Sequence, residues 1–180
     1  MLSRLQPWKR TSALSVVVAA LMILLPLRVS AQEQPSLFGD TLKRVLLDPT
    51  TYAPAAISYD ATMRDWNTSQ PFFRNGYFER NERFTISGLP NDRPVSYEAG
   101  RRLILSDALV TLQMSLANNV ADQLFERALV DRFPNHRKLV RTLGWIERGA
   151  FASYMSYYLS AKHYRQAGAN ELSARQMGFQ

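Results

Sequence analysis

Two long helix-forming stretches meet at a three-residue corner, Phe133-Pro134-Asn135, and this arrangement constrains the fold more than any other feature of the chain. Ser96 has the side chain of an N-cap, and a helix is expected from Tyr97 to Arg132. Beyond the corner, Asn135 caps a second helix from about His136 to Gln166, with Gly168 just past its end as a stop. A link this short leaves the two helices antiparallel. On the second helix Gly144, Ala152, Ser156 and Ser160 share one stripe, with Gly149, Ser153 and Ala161 beside it. Small residues at four-residue spacing let a neighbouring helix approach closely. The expected fold is all-α: a small helical bundle dominated by a long antiparallel helical hairpin (about 97–132 and 136–166), with shorter N-terminal helices and an irregular loop over 75–95.

The shorter helices are set by local signals. Ser36 caps Leu37 to Leu47, which Asp48-Pro49 ends. Thr50 or Thr51 caps the next helix, which tolerates Pro54 in its first turn and runs through Ile57, Tyr59, Met63 and Trp66 toward Gln70. Pro71 kinks or stops it, and Gly76 ends any structure beyond the proline. The stretch Ser87-Gly88-Leu89-Pro90-Asn91-Asp92-Arg93-Pro94 is dense in turn formers. Phe84, Ile86 and Leu89 are expected to pack this loop down, and no sheet is expected. Asn170 caps a final short helix to Met177.

The N-terminus reads as an export signal. Arg4, Lys9 and Arg10 make it positive, an apolar run extends from Ala13 to Leu27, and Val29-Ser30-Ala31 offers small residues where a signal peptidase cuts. A spanning helix needs roughly 20 apolar residues, more than this run supplies. The domain plan is therefore a signal peptide at 1–31, a polar tether at 32–35 and one helical domain at 36–180, with an uncleaved anchor as the alternative. The leader also accounts for part of the basicity. It holds four of the 22 Lys and Arg and no acid, which leaves 18 bases against 15 acids and a charge of +3. That balance points to no nucleic-acid partner, which calls for basic residues clustered on one face. Cysteine is absent, so disulfides, thiol catalysis and cysteine-ligated metals are excluded.

The sequence leaves open whether the hairpin lies in water or in lipid. Leu103 to Val120 is the most apolar stretch after the leader, with apolar residues round most of its circumference, as in a central or lipid-facing helix. It also carries Asp107, Gln113, Asn118 and Asn119, and the second helix carries Glu147 and Arg148 at its middle; such groups are costly in lipid. Trp145, Phe151, Tyr154, Tyr157, Tyr158 and Tyr164 leave a membrane surface open, although packing inside the hairpin is the commoner role for such residues, and a soluble or surface-bound bundle is the expectation.

The densest polar constellation is Asp65 and Thr68, one helical turn apart, joined by Glu79 and Asn81 after the reversal at Gly76. These oxygens form a candidate ligand-binding set, or they cap and brace the corner. The two histidines, His136 and His163, are separated by about 40 Å of helix and share no metal. His163 sits near the expected helix end, where the dipole favours it, and a pair with Asp65 or Glu79 is conceivable. Asp107 and Asp122 are the other candidate bases, with Arg101, Arg102, Arg141 and Arg148 as ion-pair partners. No Gly-x-Ser-x-Gly or phosphate loop occurs, and no metal or cofactor is expected.

The pattern Asp-x-x-Thr then Gly-x-x-Glu-x-Asn, here Asp65…Thr68 and Gly76…Glu79…Asn81, resembles one found in a group of uncharacterised small bacterial multi-helix membrane proteins. That group often has Pro after the Asn, where this chain has Glu82, and its helices are more apolar. The resemblance implies association with a membrane and carries no activity. The expected function is an exported envelope protein, periplasmic or membrane-associated in a bacterium, acting as a non-enzymatic interaction or structural module on an envelope protein or the membrane surface. The alternatives are an integral membrane protein and a hydrolase or metal-binding protein using Asp65 and Glu79.

Overall fold

The structure, a computed structural model, describes residues 37–179. The leader, the tether and the capping role of Ser36 lie outside those residues. The described chain is all-α, with four helices: α1 (Leu37–Leu47), α2 (Ala53–Arg74), α3 (Tyr97–Arg132) and α4 (Arg137–Met177).

α1 has the expected bounds and buries Thr41 and Val45, one turn apart. Asp48 then caps a short 3-10 turn, Pro49–Thr51, accepting from the Thr50 backbone N–H at 3.0 Å and from its hydroxyl at 2.7 Å. The two threonines expected to cap α2 are therefore spent on this turn, and α2 starts at Ala53 behind Tyr52, whose side chain makes no capping bond. Thr51 is wholly buried, its hydroxyl donating to the Val45 carbonyl at 2.7 Å.

α2 runs through Pro71 to Arg74, one turn beyond the expected stop. Proline removes one helical N–H, and the local side chains supplement the ladder around it. Gln70 Nε2 donates to the Trp66 carbonyl, and Asn75 Nδ2 donates to the Pro71 carbonyl at 2.8 Å. Phe72 and Phe73 fasten the last turn: Phe73 packs on Trp66 and Phe72 on Phe179. Gly76, at φ 84°, then reverses the chain as expected.

The loop forms no strand, only isolated backbone pairings of Glu79 with Asp92 and of Thr85 with Pro94. Phe84 packs down onto Trp66 as expected, with ring centroids 5.2 Å apart. Ile86 and Leu89 instead stand exposed, because they ride the outer arm of a turn held by Asp92 and Ser87 side chains.

α3 keeps both expected ends, with Ser96 Oγ accepting from the Ala99 N–H at 3.3 Å. It is not enclosed on all sides. Its buried line is Gly100, Ile104, Ala108, Thr111, Ser115, Asn119 and Glu126, while Leu105, Leu109, Val110 and Met114 face outward. The other helices lie against one side of it, and small or polar residues occupy that side because they let backbones come close.

α4 is a single helix to Met177 rather than two pieces broken at Gly168. An interior glycine costs about 1 kcal/mol against alanine, and contacts along the rest of the helix outweigh it. The helix ends at Gly178, whose φ of 69° lets Phe179 turn back and donate to the Ala174 carbonyl at 2.9 Å. Gly144, Ala152, Ser156 and Ser160 are all buried, with Arg148 in the same row. The hairpin of α3 and α4 forms, but α4 packs more extensively on α2, which runs parallel to it: Arg148 meets Asp48 at one end and Phe179 meets Phe72 at the other. Trp66, Phe84 and Ile104 make the apolar core, with Tyr59, Met63, Phe73, Val95 and Leu103 against it.

Candidate functional site

The 75–95 loop folds over the seam of α2 and α4 and leaves a half-open cleft of about 810 Å³. Trp66, Phe73 and Phe84 form its apolar wall; Asp65, Ser69, Lys162, His163 and Asn170 bring polar groups from the two helices; Glu79 and Asn81 come from the loop. The centre is the contact of His163 Nδ1 with Asp65 Oδ2 at 2.7 Å. Asn170 Nδ2 lies 3.3 Å from the other Asp65 oxygen, 3.0 Å from Ser69 Oγ and 3.4 Å from Thr68 Oγ1, and its two hydrogens are shared among them. Thr68 and Ser69 both donate their hydroxyls to the Asp65 backbone carbonyl. Neither hydroxyl is therefore set up as a nucleophile against the imidazole. His163 Nε2 has no hydrogen-bond partner among the described residues.

Of the four residues singled out in the sequence, Asp65, Glu79 and Asn81 line this cleft and Thr68 lies behind it. Glu79 Oε1 accepts from the Asn81 N–H at 2.7 Å, and Asn81 Oδ1 accepts from the Arg83 N–H at 3.2 Å. Both side chains thus brace the loop. His163 is not at a helix end. α4 continues past it, and its partner is the Asp65 carboxylate rather than the dipole. Asn170, expected as a cap, serves as the cross-link. A ring oriented by a carboxylate can position a hydrogen-bonding ligand or move a proton at Nε2. The Asp65–His163 contact should show a coupling of about 1 kcal/mol in a double-mutant cycle of Asp65→Asn and His163→Gln read by urea unfolding. Additive losses would mean the pair does not hold α2 to α4.

A second polar cluster lies nearer the hairpin turn. Arg148, 5% exposed, bonds Asp48 at 3.0 Å, Glu126 at 3.2 Å and Asp122. Burial alone pulls its guanidinium down, but hydrogen bonds and charges from Asp122 and Glu126 outweigh this and hold it above its ordinary value. Beside it Asn119, wholly buried, donates to Thr50 and Thr51 hydroxyls at 2.9 and 2.8 Å. Asp122 is thus a structural partner rather than a base. Asp107 pairs with Arg83 at the surface; desolvation raises its carboxyl against the pull of that arginine. Arg101 pairs with Glu98, while Arg102 and Arg141 have no ion pair among the described residues.

Glu147 is raised first by desolvation and next by the Asp122 charge, although its side chain reaches solvent. Its carboxyl therefore holds a proton in the folded state to higher pH than in the unfolded chain, and stability falls as pH rises through that window. Glu147→Gln is expected to raise the urea midpoint at pH 7 and to lose that advantage below about pH 4. A midpoint unchanged at pH 7 would contradict this.

Among the described residues no group of three or more His, Asp or Glu side chains is placed to hold a metal ion, and no helix is long and apolar enough to cross a membrane. The protein is a small all-α helical bundle without cysteine. No family model, curated protein or solved structure matches it.

Proposed function

We propose that this chain is an exported cell-envelope protein whose helical domain is a non-enzymatic interaction module, working by contact through the outer side of the α3–α4 hairpin. The observation that carries this reading is an inverted distribution of polarity. Ser115, Asn119, Glu126, Arg148, Ser156 and Ser160 are inside, whereas Leu109, Val110, Met114, Tyr154, Tyr157 (71% exposed) and Tyr158 are outside. A second surface covering these large side chains would account for their exposure. Export rests on the charged start, apolar run and Val29-Ser30-Ala31 site of the leader.

A photo-reactive residue at Tyr157 should give a discrete cross-linked product in cells, lost when Tyr154 and Tyr158 are changed to serine and retained in Asp65→Asn. The absence of a product would end this reading. N-terminal sequencing of the envelope fraction should begin at Gln32. The reading as a hydrolase has one observation in its favour, that Asp65, Glu79 and His163 line a single cleft. It expects the opposite pattern: loss with Asp65→Asn and none with the tyrosine changes.

A further inference from the structure

The hairpin turn combines exposed apolar side chains with a run of cations. From Arg127 to Arg141 the chain carries five Lys and Arg and one acid, Asp131. Arg132, Arg137, Lys138 and Arg141 are exposed, and none forms an ion pair among the described residues. Around them Phe125, Phe133, Leu139, Leu143, Trp145 (65% exposed) and Ile146 stand in solvent.

We infer that this turn is a docking tip for an anionic lipid surface, an inference that rests on the reading of the outer face as a contact surface and names its partner at this end. Two features select lipid over an acidic protein. Leu143 and Trp145 are two positions apart, about 200° round the helix, so the apolar side chains point to opposite sides. A protein partner covers one side, whereas lipid surrounds the tip. Exposed Trp and Phe interleaved with unpaired Arg and Lys also suit a headgroup layer, where apolar bodies and cations both find partners.

Since the leader by itself can bind lipid, the test reads the tip locally. The chain has no cysteine, so Trp145→Cys and, as a control, Ser87→Cys can each carry an environment-sensitive nitrobenzoxadiazole dye on the full protein. Vesicles of phosphatidylcholine and phosphatidylglycerol (about 3:1) should shift the emission at position 145 to the blue and leave position 87 unchanged. The change Arg137→Gln with Lys138→Gln and Arg141→Gln should weaken this response about 100-fold in lipid concentration at low salt. No shift at 145, an equal response on pure phosphatidylcholine, or a shift given by polyglutamate without vesicles would each overturn the inference, the last assigning the tip to an acidic protein. A cross-link at Tyr157 that persists beside a silent tip would leave the contact reading standing while this one fails.

Discussion

Arg148→Met is expected to cost the fold about 3–5 kcal/mol at neutral pH, because it leaves a buried set of charges without its counter-ion. Arg148 is the only cation bonded to Asp48, Asp122 and Glu126 among the described residues, and these acids are themselves largely buried. Methionine fills most of the volume, so the loss is electrostatic rather than a cavity effect. Three carboxylates would then face one another without the guanidinium that neutralises them. Urea unfolding at pH 7 measures the loss. A loss under about 1 kcal/mol would show that the cluster is solvated rather than sealed. Arg148→Lys should recover only part, since one ammonium cannot reach three partners through a planar fork.

Trp66→Ala should be as damaging, about 3–5 kcal/mol. The indole is 4% exposed, packs on Phe73 and Phe84, and donates from Nε1 to the Tyr97 carbonyl at 3.2 Å. It also lies flat against Gly100, where any β-carbon would run into its ring. Gly100→Ala therefore tests the same packing from the other helix. On propensity alone alanine gains about 1 kcal/mol in a helix interior. Overpacking here costs about 1–3 kcal/mol, and the variant should be destabilised in net. Trp66→Phe should be less harmful in the Gly100→Ala background than in the wild type, because the smaller ring makes room. Gly100→Ala with wild-type or higher stability would contradict this packing.

These two sites also show what is legible in the sequence. α1 and both ends of α3 are written in local chemistry: Asp48-Pro49, the Ser96 cap and the Phe133-Pro134 corner each act within a few residues. The stripe of Gly144, Ala152, Ser156 and Ser160 is equally local, since its spacing alone puts it on one face. The ends of α2 and α4 are not. Pro71 and Gly168 are breakers in isolation, and aromatic and polar contacts from distant parts of the chain override them. The centre of the cleft joins Asp65 to His163 and Asn170, about one hundred positions away, and no local pattern encodes such a pairing. The polarity of the core is hidden for a related reason. Outward Leu and inward Ser on α3 reverse the usual reading of an apolar run, and only the placement of the neighbouring helices decides which side is inside.

The buried row on α4 recurs every four residues from Gly144 to Ser160, whereas the helix turns once in 3.6. Each step therefore advances about 40° round the axis, and four steps make about 160°. At Gly144 and Arg148 the row looks toward Glu126 and Asp122 of α3; further along, Tyr164 and His163 look toward Asp60 and Asp65 of α2. α4 is thus gripped from different compass directions at its two ends. It cannot roll about its own axis at one end without wrenching the contacts at the other, so torsion applied to either half is shared by the whole rod.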